Sequence, residues 1–174
     1  DACQDNTFER IKTVLPNEQI TVIKADGNAF WAGGMRMAWS RAQEDGVWDF
    51  FLLLNDDTFL FESCIEQLLY VDDYSKQKYN KNGVYCGFVG DPNNQTNITY
   101  GAKKYQNSSI FSGAIDLQPN GIPQECSMPN ANILMVSNAV VEKIGILDKV
   151  FIHGAADWDY GIRASRRGYP VLTT

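Results

Sequence analysis

The feature that most constrains this chain is an apolar run that stops abruptly on polar side chains. From Asp49 to Leu54 the sequence is apolar after its first residue, and it breaks off at Asn55-Asp56-Asp57-Thr58. A short run without polar alternation suits a parallel strand covered on both faces. Its polar end then falls where open α/β sheets bind ligands, beyond the carboxyl ends of the strands. Two adjacent carboxylates and an amide oxygen are hard ligands of the kind that suit Mg²⁺ or Mn²⁺ shared with substrate phosphates. A cation there offsets the charge of a departing diphosphate. The residue types alone leave a second explanation open, because Asn and Asp are also favoured in turns that end strands.

Around this run, local signals alternate between helix and strand. Phe8, Ile11, Val14 and Leu15 recur at helical spacing, with Asp5 or Asn6 placed to cap and Pro16 to close the helix Phe8 to Leu15. The β-branched Ile20 to Ile23 reads as a strand ending at the turn Ala25-Asp26-Gly27-Asn28. A helix is expected from Met35 to Glu44, after Gly33-Gly34 and before Gly46, and another from Glu62 to Tyr74. Val84 to Val89 reads as a strand. From Asp91 to Met128 asparagine, glycine, serine and proline dominate, and only short hairpins around Ile98 to Lys104 and Ala114 to Leu117 are expected. Ile133 to Val136 reads as a strand, with Ser137 capping a helix from Asn138 to Ile144 that Gly145 ends. A last helix, Trp158 to Arg167, is closed by Gly168 and followed by a strand at Val171-Leu172. Such alternation implies an α/β fold with a parallel or mixed sheet and right-handed crossovers. With 174 residues, 44% of them apolar and 12% aromatic, one domain over residues 1–174 suffices to bury a core.

Charge and composition exclude some functions. A net charge of -6 leaves no basic surface to neutralise a phosphate backbone, so nucleic acid is not expected as a partner. No stretch approaches the roughly 18–20 apolar residues that span a bilayer, so the chain reads as soluble. Cys3, Cys64, Cys86 and Cys126 form no CxxC pair and His153 is the single histidine, which speaks against a zinc site. In a chain with an adequate core, the four cysteines read as free, part-buried thiols. The sequons at Asn94, Asn97 and Asn107 lie in an asparagine-rich stretch, where chance explains them.

Two further constellations compete with ordinary structural readings. Gly27 to Arg36 places glycines before a helix, where backbone approaches ligands and the helix start favours anions; Arg36 is the side chain that would reach a phosphate. The same residues also make a tight strand-to-helix turn with Phe30 and Trp31 packed below, and Arg36 then stands as a surface arginine. Gly154-Ala155-Ala156-Asp157-Trp158-Asp159-Tyr160 sets carboxylates two apart at a helix start. Asp157 or Asp159 there serves either as a cap or as a carboxylate aimed into a cleft.

Taken in order, these segments resemble family 2 glycosyltransferases of the GT-A fold, particularly bacterial rhamnosyltransferase-like members. Asp1-Ala2-Cys3-Gln4-Asp5-Asn6-Thr7 resembles the DGSTDGT segment that ends the family's second strand, and Gly27 to Met35 resembles its GNxGFAGGxN turn. Leu52 to Thr58 is similar to LLLNxDT, a version of the DxD motif. Asn132 to Asp148 resembles an apolar strand, a helix and a G-x-x-D-E-x-F passage, and Phe151 to Tyr169 resembles the closing F-x-x-G-x-D-x-D-x-x-x-R-x-x-x-G-Y.

The resemblance implies a mixed sheet flanked by helices and an inverting transfer of a hexose or deoxyhexose. The sugar would pass from a nucleotide-diphosphate donor to a hydroxyl of a glycan or lipid-linked acceptor, in cell-surface polysaccharide biosynthesis. It implies that Asp1 bonds the nucleobase, that Asp57 holds a divalent cation (Mn²⁺ or Mg²⁺), and that Asp56 or Asn55 contacts ribose or metal-bound water. Asp157 would be the general base and Asp159 a brace for its helix. A cytoplasmic location at or near the inner face of the membrane follows for such an enzyme. Against the family pattern, the first acidic position of the DxD is the amide Asn55, and the acidic residue before the base is replaced by Ala156. The chain also starts where a second strand should end, so a first strand and helix of roughly 30 residues or more is expected to be missing. The rival readings are a noncatalytic nucleotide-sugar or sugar-binding module, and a Mg²⁺-dependent phosphotransferase with Asp56 as nucleophile; the lysine and acidic loop expected downstream for the latter are not evident.

Overall fold

Side-chain alternation along one strand organises the molecule. The computed structural model describes residues 2–14, 20–106 and 113–174, with Gln95 by its backbone alone. The helices are α1 (Thr7–Val14), α2 (Phe30–Asp45), α3 (Cys64–Tyr79), α4 (Asn138–Ile144) and α5 (Ala156–Arg166). The strands are β1 (Phe50–Leu54), β2 (Val84–Cys86), β3 (Val89–Asp91), β4 (Asn94–Tyr100), β5 (Lys103–Tyr105), β6 (Ala114–Asp116), β7 (Gln124–Glu125), β8 (Ile133–Ser137) and β9 (Val171–Thr173). Every residue of β8 is buried. Leu134 and Val136 face a core built with Trp39 of α2, Val140 of α4 and Tyr160 of α5, while Ile133 and Met135 face Leu68 and Val71 of α3. Because successive side chains of a strand point to opposite faces, an all-apolar strand is what helices on both sides require.

The main sheet has the order β1-β8-β2-β9-β7 and is mixed. β1 and β2 both run antiparallel to β8, and β9 is parallel to β2. The carboxyl ends of β1, β2 and β9 therefore share one edge with the amino end of β8. Two small ribbons, β3 with β4 and β5 with β6, precede and occupy the irregular segment; the expected hairpin around Ile98 to Lys104 instead falls across β4 and β5, which belong to different ribbons, and Ala114 to Leu117 supplies one strand of the second.

Several expectations need correction. The Phe50–Leu54 run is antiparallel, not parallel, and pairs on one side only among the described residues, leaving Leu52 39% exposed. Its apolar character comes from covered faces, with Phe51 and Leu53 in one core and Phe50 and Leu54 against the other. Ile20 to Ile23 forms no strand: Ile20 and Ile23 are exposed, and β-branched residues do not make a strand without a partner edge. Helix α2 begins at Phe30, not Met35, because Gly33 N–H already bonds Ala29 O (3.0 Å) and Ala32 N–H finds the carbonyl of Ile152 (3.1 Å). That second bond satisfies one of the donors a helix start leaves open. Helix α3 runs on to Tyr79 and ends at Asn80, which takes the left-handed conformation. Val84 to Val89 divides between β2 and β3. Ser137 gives no side-chain cap to α4, and its hydroxyl is buried with no partner among the described residues.

Other local signals hold. Asp5 Oδ1 accepts the Thr7 N–H at the start of α1 (3.1 Å), Gly145 ends α4, and Gly168 follows α5 with φ of 77°. The predicted end of α1 at Leu15 and Pro16 lies outside the described residues, as does the sequon at Asn107. All four cysteines are free. Among the described residues no helix is long and apolar enough to cross a membrane.

Candidate active site

Where β1 ends, the chain closes a tight turn, with Thr58 N–H donating to Asn55 O (3.2 Å). Asp56 and Asp57 occupy its two central positions and are both exposed. Among the described residues neither carboxylate has a hydrogen-bond or ion-pair partner. Asp56 borders a cavity of 720 Å³ formed with Ile20, Val22, Ile23, Met37 and Trp48. The segment 20–25 thus lines a cavity against α2 rather than extending the sheet.

Asn55 behaves differently from its two neighbours. Its Oδ1 accepts the Trp31 indole N–H (2.7 Å), and its Nδ2 donates to Asn132 Oδ1 (2.6 Å). Its backbone N–H donates to Asn132 O (3.1 Å), which carries the β1–β8 pairing one step past Leu54 and Ile133. The three expected oxygen ligands therefore separate: two carboxylates project outward and the amide is tied inward. The described residues hold no group of three or more His, Cys, Asp or Glu side chains placed to bind a metal ion. Asp56 and Asp57 fit a hard cation that takes one or two protein carboxylates and fills its remaining positions with phosphate oxygens and water, as Mg²⁺ does.

Asp157 lies in the first turn of α5, reached through Ala155 in the left-handed region (φ 65°). Its Oδ2 accepts the Ala131 N–H (3.1 Å) and its Oδ1 the Trp158 N–H (2.9 Å). Burial pushes the carboxyl above the usual aspartate value, and the N–H bonds from Ala131 and Trp158 offset that only in part. The loop that supplies the Ala131 N–H is pressed onto α5 at a glycine: a Cβ on Gly161 would stand 2.2 Å from Pro129 Cδ. Asn132 N–H in turn donates to Asn130 Oδ1 (3.0 Å), which folds residues 130–132 into a compact turn.

The remaining candidates have structural work to do. Asp159 pairs with Arg163 (2.7 Å), whose other nitrogens donate to Ile144 O and Ile146 O (3.0 Å each), so α5 is braced onto the end of α4. Arg36 donates Nη1 to the carbonyls of Asp148 (3.0 Å) and Phe151 (2.6 Å), holding the loop that leads into α5. Ala156, at the position before the candidate base, is fully buried. Trp31 is half-buried while Phe30 is 54% exposed and stacks at a tilt on His153, so only the first of these lies beneath the turn. Asp1 lies outside the described residues.

Sequence reasoning missed Trp31, Asn130, Ala131 and Asn132 as parts of the site. One signal was available: Asn130-Ala131-Asn132 precedes one apolar strand much as Asn55 follows another, and antiparallel neighbours bring such ends together. Comparison of the chain with protein-family models, curated proteins and solved structures gave no match.

Proposed function

We propose that the chain is the donor-binding and catalytic part of a metal-dependent, inverting glycosyltransferase of the GT-A fold, similar to family 2. The observation that carries this reading is the short hydrogen-bonded route between two kinds of carboxylate at one sheet edge. An unengaged exposed pair, Asp56 and Asp57, follows Asn55; Asn55 grips Asn132; and the adjoining Ala131 N–H holds the partly desolvated Asp157. In this reading Asp57, with Asp56, would hold a Mn²⁺ or Mg²⁺ ion at the donor site, and such an ion would supply positive charge to balance a departing diphosphate. Asp157 takes the proton of an acceptor hydroxyl, whose oxygen attacks the anomeric carbon opposite the diphosphate as that bond breaks. A carboxylate whose proton affinity is raised by burial is better suited to this than an ordinary surface aspartate. The acceptor class, a glycan or lipid-linked hydroxyl, and a site of action at the inner face of the membrane follow from the family resemblance.

The buried Ala156, which leaves Asp157 without an acidic neighbour, favours a second reading as a noncatalytic nucleotide-sugar-binding module. Binding is common to both. The test is thermal unfolding of the protein with Mn²⁺ and UDP, GDP or dTDP. A ligand at a hundredfold excess over Kd stabilises by about 2.7 kcal/mol, a rise in Tm of roughly 5–10 °C for a chain of this size. That rise is expected with at least one nucleotide in the presence of Mn²⁺, and Asp57→Ala is expected to abolish it. No shift with any nucleotide, or an undiminished shift in Asp57→Ala, would remove the donor-site assignment.

A further inference from the structure

We propose that Asn55 is a positioning residue, the middle link of a chain from Trp31 through Asn132 to Asp157, and not a ligand of the cation. The role rests on the glycosyltransferase reading, but the chain of contacts stands independently of it. Both ends of the Asn55 amide are engaged, Oδ1 by the Trp31 indole N–H at 2.7 Å and Nδ2 by Asn132 Oδ1 at 2.6 Å. The backbone of the same two asparagines is joined at 3.1 Å, so residue 132 is fixed at two points. One residue back, Ala131 is 1% exposed and its N–H is spent on Asp157 Oδ2. Asn132 is also tied to Asn130 Oδ1, so rotation of this turn moves the Ala131 N–H with it. From the other side, the contact between Pro129 and Gly161 seats the turn on the helix that carries Asp157.

This arrangement gives a physical reason for an amide at position 55. A carboxylate accepts only, and in the geometry observed it would face the Asn132 carbonyl oxygen, acceptor against acceptor. Asparagine accepts from Trp31 and donates to Asn132 at once, which joins α2, the end of β1 and the start of β8 in one polar line. The turn that presents Asp56 and Asp57 is thereby held in fixed relation to Asp157. Holding reacting groups in one geometry is a recognised source of rate, and small displacements are costly.

Two measurements test the proposal: NMR amide exchange at Ala131, and isothermal titration of Mn²⁺ with UDP, GDP or dTDP. Asn55→Ala is expected to speed Ala131 exchange at least tenfold. Trp31→Phe removes the indole donor while keeping an aromatic ring, and is expected to move exchange in the same direction by a smaller factor, which covers the case in which Asn55→Ala fails to fold. Asn55→Asp keeps the acceptor for the Trp31 indole but loses the donor to Asn132 Oδ1, so Ala131 exchange is expected to be faster than in wild type and Mn²⁺-dependent nucleotide binding no tighter. Unaltered Ala131 exchange in Trp31→Phe and Asn55→Ala would overturn the proposal. So would a tenfold gain of Mn²⁺-dependent binding in Asn55→Asp, since that places side chain 55 on the cation. If the wild-type protein binds none of the three nucleotides, the glycosyltransferase reading fails, and the exchange measurements still decide whether Asn55 orients the Asp157 turn.

Discussion

At the scale of single residues, neighbours of similar chemistry are used for opposite ends. Among the described residues Asp56 and Asp57 have no partner at the tip of their turn, and Asn55 is consumed in holding that turn to the rest of the molecule. Residue type marked the carboxylates at 56, 57 and 157 as candidates and left turn and helix-cap roles open beside them; only the family resemblance separated the two. It could not reveal the partners of Asn55, which depend on the register Leu54 with Ile133 between segments far apart in sequence. Asp157 carries a pH signature. Burial raises its proton affinity, so the carboxylate ionises at a higher pH than an ordinary aspartate, and the proposed role as base predicts that turnover falls on the acid side at a correspondingly higher pH. Stability runs the other way: the contribution from this group is fully present below the ordinary value and is lost as pH rises through the raised folded value. Asp157→Asn is expected to remove that slope, read as the difference between urea-unfolding midpoints across pH. An identical slope in the variant would show that other groups dominate.

Among the elements, those whose limits are set by neighbours in sequence were legible and those set by distant contacts were not. Gly145 and Gly168 marked the ends of α4 and α5, and the apolar run Ile133 to Val136 marked the strand β8, all of whose residues are buried. Helix α2 begins earlier than Gly33-Gly34 suggested because the Ile152 carbonyl and the Arg36 bonds to residues 148 and 151 secure its first turns. Ile20 to Ile23 read as a strand on β-branching alone, yet a strand is made by its partner. The mounting of α5 depends on the absence of a side chain at Gly161, where a Cβ would meet Pro129 at 2.2 Å. Gly161→Ala should cost about 1–3 kcal/mol, as overpacking of closely fitted interiors does. Chemical denaturation measures it, and a cost below about 0.5 kcal/mol, the range of innocuous surface changes, would mean that the 129–131 turn is not seated on α5 as described.

For the molecule as a whole, the helix-strand alternation identified the α/β class, but strand direction was not readable from composition. Phe50–Leu54 looks the same whether its neighbour is parallel or antiparallel, since both arrangements cover its faces with helices. What survives the change of direction is the position of the site. With β1 and β2 both antiparallel to β8, their carboxyl ends still meet on one edge, and the Asp56-Asp57 turn and the Asn130–Asn132 turn lie along it. The central claim is that this edge carries a donor site and a base belonging to one reaction. The most direct measurement is Mn²⁺-dependent release of nucleoside diphosphate from UDP-, GDP- and dTDP-sugars, with water taking the place of the acceptor hydroxyl, by wild type, Asp57→Ala and Asp157→Asn, with nucleotide binding followed in parallel. The account predicts that Asp57→Ala loses binding and release together, while Asp157→Asn keeps binding and loses about 10²- to 10⁴-fold in release, the usual contribution of a general base. Release by Asp157→Asn at the wild-type rate, or binding by wild type with no release from any donor, would contradict it.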